Sequence, residues 1–158
     1  MVDYSGIVIR GDFNGNGIID AEDMDLLTGE VQSGTNATSF DLNSDNVVND
    51  EDRVVWVEAP DIGNTYAGDS NLDGQLDTSD FVFVFTAGEY EDNIPDNSVW
   101  ATGDWNGSGD FDSSDFVYAF QFGGYEVGPR LNAQAVPEPS SAVLLIVALG
   151  MFAWRSRR

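Results

Sequence analysis

The stretch G-D-F-N-G-N-G-I-I-D-A-E-D, Gly11 to Asp23, decides how the rest of the chain is read, because its plan returns three more times. With Asp12 as position 1, oxygen-bearing side chains stand at positions 1, 3, 5, 9 and 12: Asp12, Asn14, Asn16, Asp20 and Asp23. Gly17 occupies position 6 and Ile19 position 8. The same frame fits Asp41 to Asp52, Asp69 to Asp80 and Asp104 to Asp115. One copy alone would read as a turn-rich connection of Asp, Asn and Gly. Four copies in 158 residues define a repeated unit.

A twelve-residue loop whose alternate residues point inward can wrap a calcium ion, which prefers six to eight oxygens, as in the loop of an EF-hand. Here Asp rather than Glu closes each loop. The expected ligand sets are Asp12, Asn14, Asn16, Asp20 and Asp23 in loop one and Asp41, Asn43, Asp45, Asn49 and Asp52 in loop two. Loop three offers Asp69, Asn71, Asp73, Asp77 and Asp80, and loop four Asp104, Asn106, Ser108, Asp112 and Asp115. Position 7 contributes its backbone carbonyl: Ile18, Val47, Gln75 and Asp110. Position 9 binds directly or through water, and position 12 is expected to bind bidentately. Carboxylates and amides without His or Cys select a hard cation, so up to four Ca2+ ions are expected rather than zinc or copper. Loop three has the most side-chain carboxylates and should bind most tightly. Ser108 weakens loop four, and Asn46 replaces glycine at position 6 of loop two, where a left-handed backbone is needed. The position 8 residues Ile19, Val48, Leu76 and Phe111 are expected to pair across two loops.

Charge agrees with that reading. The chain carries 28 Asp plus Glu against 6 Lys plus Arg, a net charge of −22, and three of the arginines lie in the last four residues. Such an excess repels nucleic acid and opposes folding unless a cation neutralises it. A disordered acidic tail is excluded by 42% hydrophobic and 12% aromatic residues. With no His, the usual general base is missing, and with no Cys there are no disulfides. The first ten residues, M-V-D-Y-S-G-I-V-I-R, lack the basic and apolar regions of a secretory signal peptide.

Along the chain, a short extended lead-in precedes loop one, and Ala21 to Glu30 then reads as a helix with Met24, Leu27 and Val31 on one face. Asp50 to Glu58 reads as a second helix burying Val54, Val55 and Trp56, ended by Ala59-Pro60. Gly68 to Glu91 aligns on Gly103 to Glu126 with 13 identities over 24 positions. The runs F-V-F-V-F and F-V-Y-A-F that follow loops three and four have strand propensity. Helices are nevertheless expected, because position 9 Asx and position 12 Asp form a capping-box pattern. Gly88 and Gly123 fall where helix-ending glycines belong. Phe81, Val84 and Phe85, like Phe116, Ala119 and Phe120, share a helical face.

Beyond a polar tether come V-P-E-P-S-S, an apolar run from Ala142 to Trp154, and R-S-R-R. Thirteen residues make about 20 Å of helix, short of the roughly 20 residues of a comfortable span, but the arginines close it as a positive-inside anchor would. The expected fold class is mainly α: two tandem modules, each a pair of loop-helix units, plus a C-terminal hydrophobic helix. The expected divisions are residues 1–64, 65–126, a linker at 127–140 and an anchor at 141–158.

The loop pattern D-x-N-x-[DN]-G-x-[IVL]-[DN]-x-x-D with one following helix, in tandem pairs, resembles the dockerin repeat. V-P-E-P-S-S, an apolar helix and R-S-R-R resemble a PEP-CTERM sorting signal at Pro137, Glu138 and Pro139. The first resemblance implies calcium-dependent folding and, in cellulosomal relatives, docking onto a cohesin of a polysaccharide-degrading assembly. Partner choice in those relatives depends largely on loop positions 10 and 11, here Ala21-Glu22, Asp50-Glu51, Thr78-Ser79 and Ser113-Ser114. Only the last two look like hydroxyl-bearing recognition pairs. The second resemblance implies export, processing near Pro137 to Pro139, transient membrane anchoring through the apolar helix, and retention at the cell envelope or in extracellular matrix. The expected function is a non-catalytic, calcium-binding interaction or anchoring module. The alternatives are a purely structural, calcium-stabilised extracellular spacer and the C-terminal fragment of a larger secreted glycoside hydrolase. Enzymatic activity within this chain is not expected, since nearly every well-placed acid already belongs to a loop.

Overall fold

The computed structural model describes residues 8–130. The expected hydrophobic helix at 141–158, the sorting motif at Pro137 to Pro139 and most of the linker at 127–140 lie outside the described residues.

Among the described residues, four α-helices and one 3-10 turn form the regular structure: α1 (Ala21–Ser33), α2 (Asp50–Glu58), α3 (Thr78–Ala87), the turn Trp100–Thr102, and α4 (Ser113–Gln121). Each α-helix starts at position 10 of a loop. The local cause is the same four times. The position 9 side chain (Asp20, Asn49, Asp77, Asp112) accepts the backbone N–H of position 11, and the position 12 carboxylate reaches back to the N–H of position 9. Two otherwise orphaned helix-start donors are thereby satisfied in each unit. This capping decides the contest in F-V-F-V-F and F-V-Y-A-F in favour of helix, and no strand forms among the described residues.

The ends differ in detail from expectation. Helix α1 runs one turn beyond Glu30, to Ser33, and stops at Gly34 in the left-handed region. Gly88 ends α3 at φ 79° as expected, whereas Phe122 is the last half-helical residue of α4 and Gly123 turns the chain just after it, at φ 70°. Met24 and Leu27 are fully buried from α1, with Val31 packed beside them. In α2 the buried residues are Asp52, Trp56, Val57 and, unexpectedly, Arg53; Val54 and Val55 are only half-buried. Phe85 and Phe120 are about half exposed. They lie at the rim of an aromatic cluster in which Phe81, Phe116, Tyr90, Phe111 and Trp105 occupy the inside, with Phe81 and Phe116 5.8 Å apart edge to face.

One hydrophobic core takes residues from all four units: Met24 and Leu27, Val48 and Trp56, Leu76 and Val84, then Trp100, Trp105, Phe111 and Ala119. Three buried tryptophans stitch this core to the loops through their indole N–H groups. Trp56 Nε1 donates to Gly11 O at 3.0 Å, Trp100 Nε1 to Asp69 O at 2.8 Å, and Trp105 Nε1 to Ser70 Oγ at 2.8 Å. A buried indole needs such an acceptor, and here each acceptor lies at the start of a loop. The first and second pairs also meet directly: Trp100 N donates to Asp25 Oδ1 of α1 at 3.0 Å, and Arg130 pairs with Glu58 of α2 at 2.8 Å.

Candidate metal centre

Four loops share one hydrogen-bonding plan, and it starts from position 1. Asp12 Oδ1 accepts the N–H groups of Gly15 and Asn16, and its Oδ2 accepts that of Gly17. Asp41 does the same for Ser44, Asp45 and Asn46, and Asp104 for Gly107, Ser108 and Gly109. Asp69 takes the N–H of Asp73 and Gly74, and additionally a very short hydrogen bond from the buried Thr65 hydroxyl. Each position 1 carboxylate therefore curls the loop around itself. The position 3 oxygens (Asn14, Asn43, Asn71, Asn106) accept from position 5, at 2.8–2.9 Å. Position 5 (Asn16, Asp45, Asp73, Ser108) accepts in turn from position 7.

This curvature needs left-handed backbone at two places, of which sequence reading identified one. Position 6 is left-handed throughout, with Asn46 at φ 72° beside Gly17, Gly74 and Gly109, so Asn does substitute for glycine there. Position 4 is left-handed as well, at Gly15, Ser44, Leu72 and Gly107. Leu72, at φ 55°, is an uncommon residue for that region, so nothing in its identity announces the conformation.

Position 12 closes each loop from below. Asp23, Asp52, Asp80 and Asp115 are all fully buried. One oxygen of each accepts the N–H groups of positions 2 and 3, and the other accepts that of position 9. For Asp115 these are Trp105 N at 2.9 Å, Asn106 N at 3.0 Å and Asp112 N at 2.9 Å. A carboxylate has about four lone-pair sites. Three go to amides, and the bidentate role expected of position 12 has to share the same oxygens.

The position 8 residues Val48, Leu76 and Phe111 are buried, with Ile19 packed beside them. The main-chain bonds of Leu76 and Phe111 run to the segment that follows the other unit's helix. Leu76 O accepts from Glu126 N and Phe111 O from Glu91 N, each at 2.9 Å. The chain turns back after Gly88 and Gly123, so each loop of this pair is held by the tail of its partner.

Electrostatics mark the second pair. Burial pushes the carboxyl of Asp69 up to about 6, and the carboxylates of Asp80 and Asp73 add to the rise against the hydrogen bonds of Thr65 and Gly74. Burial likewise pushes Asp115 up to about 6, with Asp104 adding repulsion. Asp80 and Asp104 are also raised, burial being the largest cause. Asp77 and Asp112 are lowered, chiefly by the hydroxyls of Ser79 and Ser114, as befits helix caps.

These residues fit a hard cation in kind: every side-chain donor in the four loops is a carboxylate, amide or hydroxyl oxygen. Among the described residues no three acidic side chains stand together so as to hold an ion by carboxylates alone. Amide, hydroxyl and main-chain oxygens of positions 3, 5 and 7 would have to complete each shell, as the spacing implies. In loop four the position 7 carbonyl, of Asp110, accepts the Ser108 hydroxyl at 3.1 Å.

Comparison with known proteins bears on the far end of the chain. The PEP-CTERM protein-sorting motif matches residues 135–158. The class follows: this is an exported protein carrying a sorting signal, directed to the cell envelope. No curated protein and no solved structure matches the chain. Among the described residues no helix is long and apolar enough to cross a membrane.

Proposed function

We propose that the chain is a non-catalytic, dockerin-like calcium-binding module of an exported protein, its four loops each taking one calcium ion. The observation that carries this reading is the fourfold repetition of one loop plan, with a buried position 12 carboxylate in every copy. In the second pair, burial raises the proton affinity of Asp69 and Asp115 and neighbouring carboxylates add to the rise, a cost of buried negative charge that a divalent ion relieves. Positions 1, 3, 5 and 12 would supply side-chain oxygens and position 7 its carbonyl, while position 9 caps the helix. The ion supplies charge neutralisation and no step of chemistry. Binding is then coupled to folding.

A protein partner is favoured over a bare spacer by one surface. On α3, Val82 and Phe83 are 64% and 49% exposed. With Thr86, Ala87, Ala101 and Thr102 they line an open groove of about 520 Å³ that begins at Ser79. Ser79, at loop position 11, is one of its lining residues, while the position 10 hydroxyl of Thr78 donates to Glu126 at 3.0 Å. A cohesin-like protein of a polysaccharide-degrading assembly is the proposed occupant. The apolar run Ala142 to Trp154 with its arginines is proposed as a transient membrane anchor before processing at Pro137 to Pro139.

Thermal unfolding with excess calcium and with chelator tests the core of the reading. A melting temperature higher by ten degrees or more in calcium (about 3 kcal/mol or more for a domain of this size) is expected. An unchanged melting temperature contradicts it.

A further inference from the structure

Arg53 follows Asp52, the closing residue of loop two, and is only 1% exposed. A buried guanidinium is costly unless its donors are matched. Its Nε donates to Thr28 Oγ1 on α1 at 3.1 Å, and Nη1 pairs with Asp50 at 3.3 Å. The remaining partners belong to the other half of the molecule: Nη1 donates to Asn106 O at 2.7 Å and Nη2 to Trp105 O at 2.9 Å. The guanidinium also lies 5.9 Å from the ring centre of Tyr118 on α4.

Trp105 and Asn106 are positions 2 and 3 of loop four. Their N–H groups are those accepted by Asp115, the closing carboxylate of the same loop. The peptide segment is thus gripped on its N–H side by loop four's own position 12 and on its C=O side by the residue after loop two's position 12. Even the next residue conforms. A Cβ on Gly107, at φ 81°, would lie 2.7 Å from Arg53 Nη1.

We propose that Arg53 is a coupling joint that makes filling of loops two and four cooperative, an inference that rests on the calcium reading above. An open loop four withdraws two carbonyls from a buried cation whose one carboxylate partner among the described residues, Asp50, is largely exposed. Closing loop four restores them, holds Arg53 and the first turn of α2, and so favours the closed form of loop two. The reverse follows by linkage. The fork, and not the charge alone, is what serves: a guanidinium reaches two carbonyls and a hydroxyl at once, which an ammonium cannot.

The test is calcium titration of the full chain followed by NMR at the Asn46 and Val47 amides of loop two, with loop four intact or weakened by Asp104→Asn. In the Arg53 background, Asp104→Asn should weaken loop two by about fivefold or more, the lower range of allosteric couplings. In Arg53→Met and in Arg53→Lys, which keeps the charge, the same change should leave loop two within about twofold. An equal shift in all backgrounds, or none with Arg53 present, overturns the proposal. Denaturant unfolding in chelator provides a metal-independent reading, should calcium bind nowhere. One transition with Arg53 and two separated transitions with either variant would leave the joint standing while the calcium reading fell. One transition throughout, with no calcium binding, removes both.

Discussion

Replacing Asp80 by Ala is the sharpest structural perturbation available, because that one carboxylate holds three amides and lies fully buried. Asp80 Oδ1 accepts from Ser70 N at 3.0 Å and Asn71 N at 3.4 Å, and Oδ2 accepts from Asp77 N at 2.9 Å. Alanine leaves these donors without a partner. Orphaning a buried donor costs about 1–3 kcal/mol. The Asn71 contact is long and the donors near the loop surface regain some water, so the expected loss is about 3 kcal/mol in chelator. Against a total stability of about 5–15 kcal/mol that is a large fraction. It corresponds to a fall of roughly 10 °C in melting temperature. Asp80→Asn is the paired control. Its carbonyl oxygen retains the Ser70 and Asn71 amides while its NH2 group faces the Asp77 amide, so about half the loss is expected. Denaturant titration followed by tryptophan fluorescence measures both. A loss below about 0.5 kcal/mol for Asp80→Ala in chelator would refute the claim that position 12 closes the loop, whatever calcium does.

Other consequences follow from the same geometry. Asp69 and Asp115 have folded carboxyl pKa values pushed up to about 6, above the unfolded value of about 3.9. The native state therefore binds more protons than the unfolded one across that window, and stability in chelator should fall as pH rises through about 6. Saturating calcium should abolish or reverse that trend, which melting curves at several pH values with and without the ion will show. Trp105→Ala removes a fully buried ring and its bond to Ser70, and should cost about 3–5 kcal/mol by chemical denaturation. Val82→Asp together with Phe83→Ser should leave stability within about 0.5 kcal/mol, as surface changes do. The same pair should abolish capture of a cohesin-like partner in a calcium-dependent pull-down; undiminished capture would place the interface elsewhere.

The local layer of this fold was legible in the residues. Asp20, Asn49, Asp77 and Asp112 three places before an Asp dictate capping boxes that form within one turn, so all four helix starts could be read without knowing the fold. Asn46 in the left-handed region was likewise readable, because Asn and Gly are the residues that go there at low cost. Leu72 was not, since the curl shared by all four loops imposes a left-handed backbone there against the residue's own preference. Phe85 and Phe120 share the helical spacing of core residues, yet periodicity reports a face and not how deeply that face is covered. The burial of Arg53 depends on loop four, some fifty residues away, and a charged residue one place after a loop acid is ordinarily a solvated one. The same distance hid the exchange of segments at Leu76 and Phe111, each held by the tail of the other unit. The sorting motif at residues 135–158 was readable because its three parts occur in order.

Calorimetric titration of the purified chain with calcium, starting from chelator-treated protein, tests the central claim most directly. Saturable binding at four sites is expected, reduced by one in Asp73→Ala, a residue whose loop is otherwise left to fold around Asp69 and Asp80. Flat heats, or a stoichiometry that Asp73→Ala leaves unchanged, would contradict it.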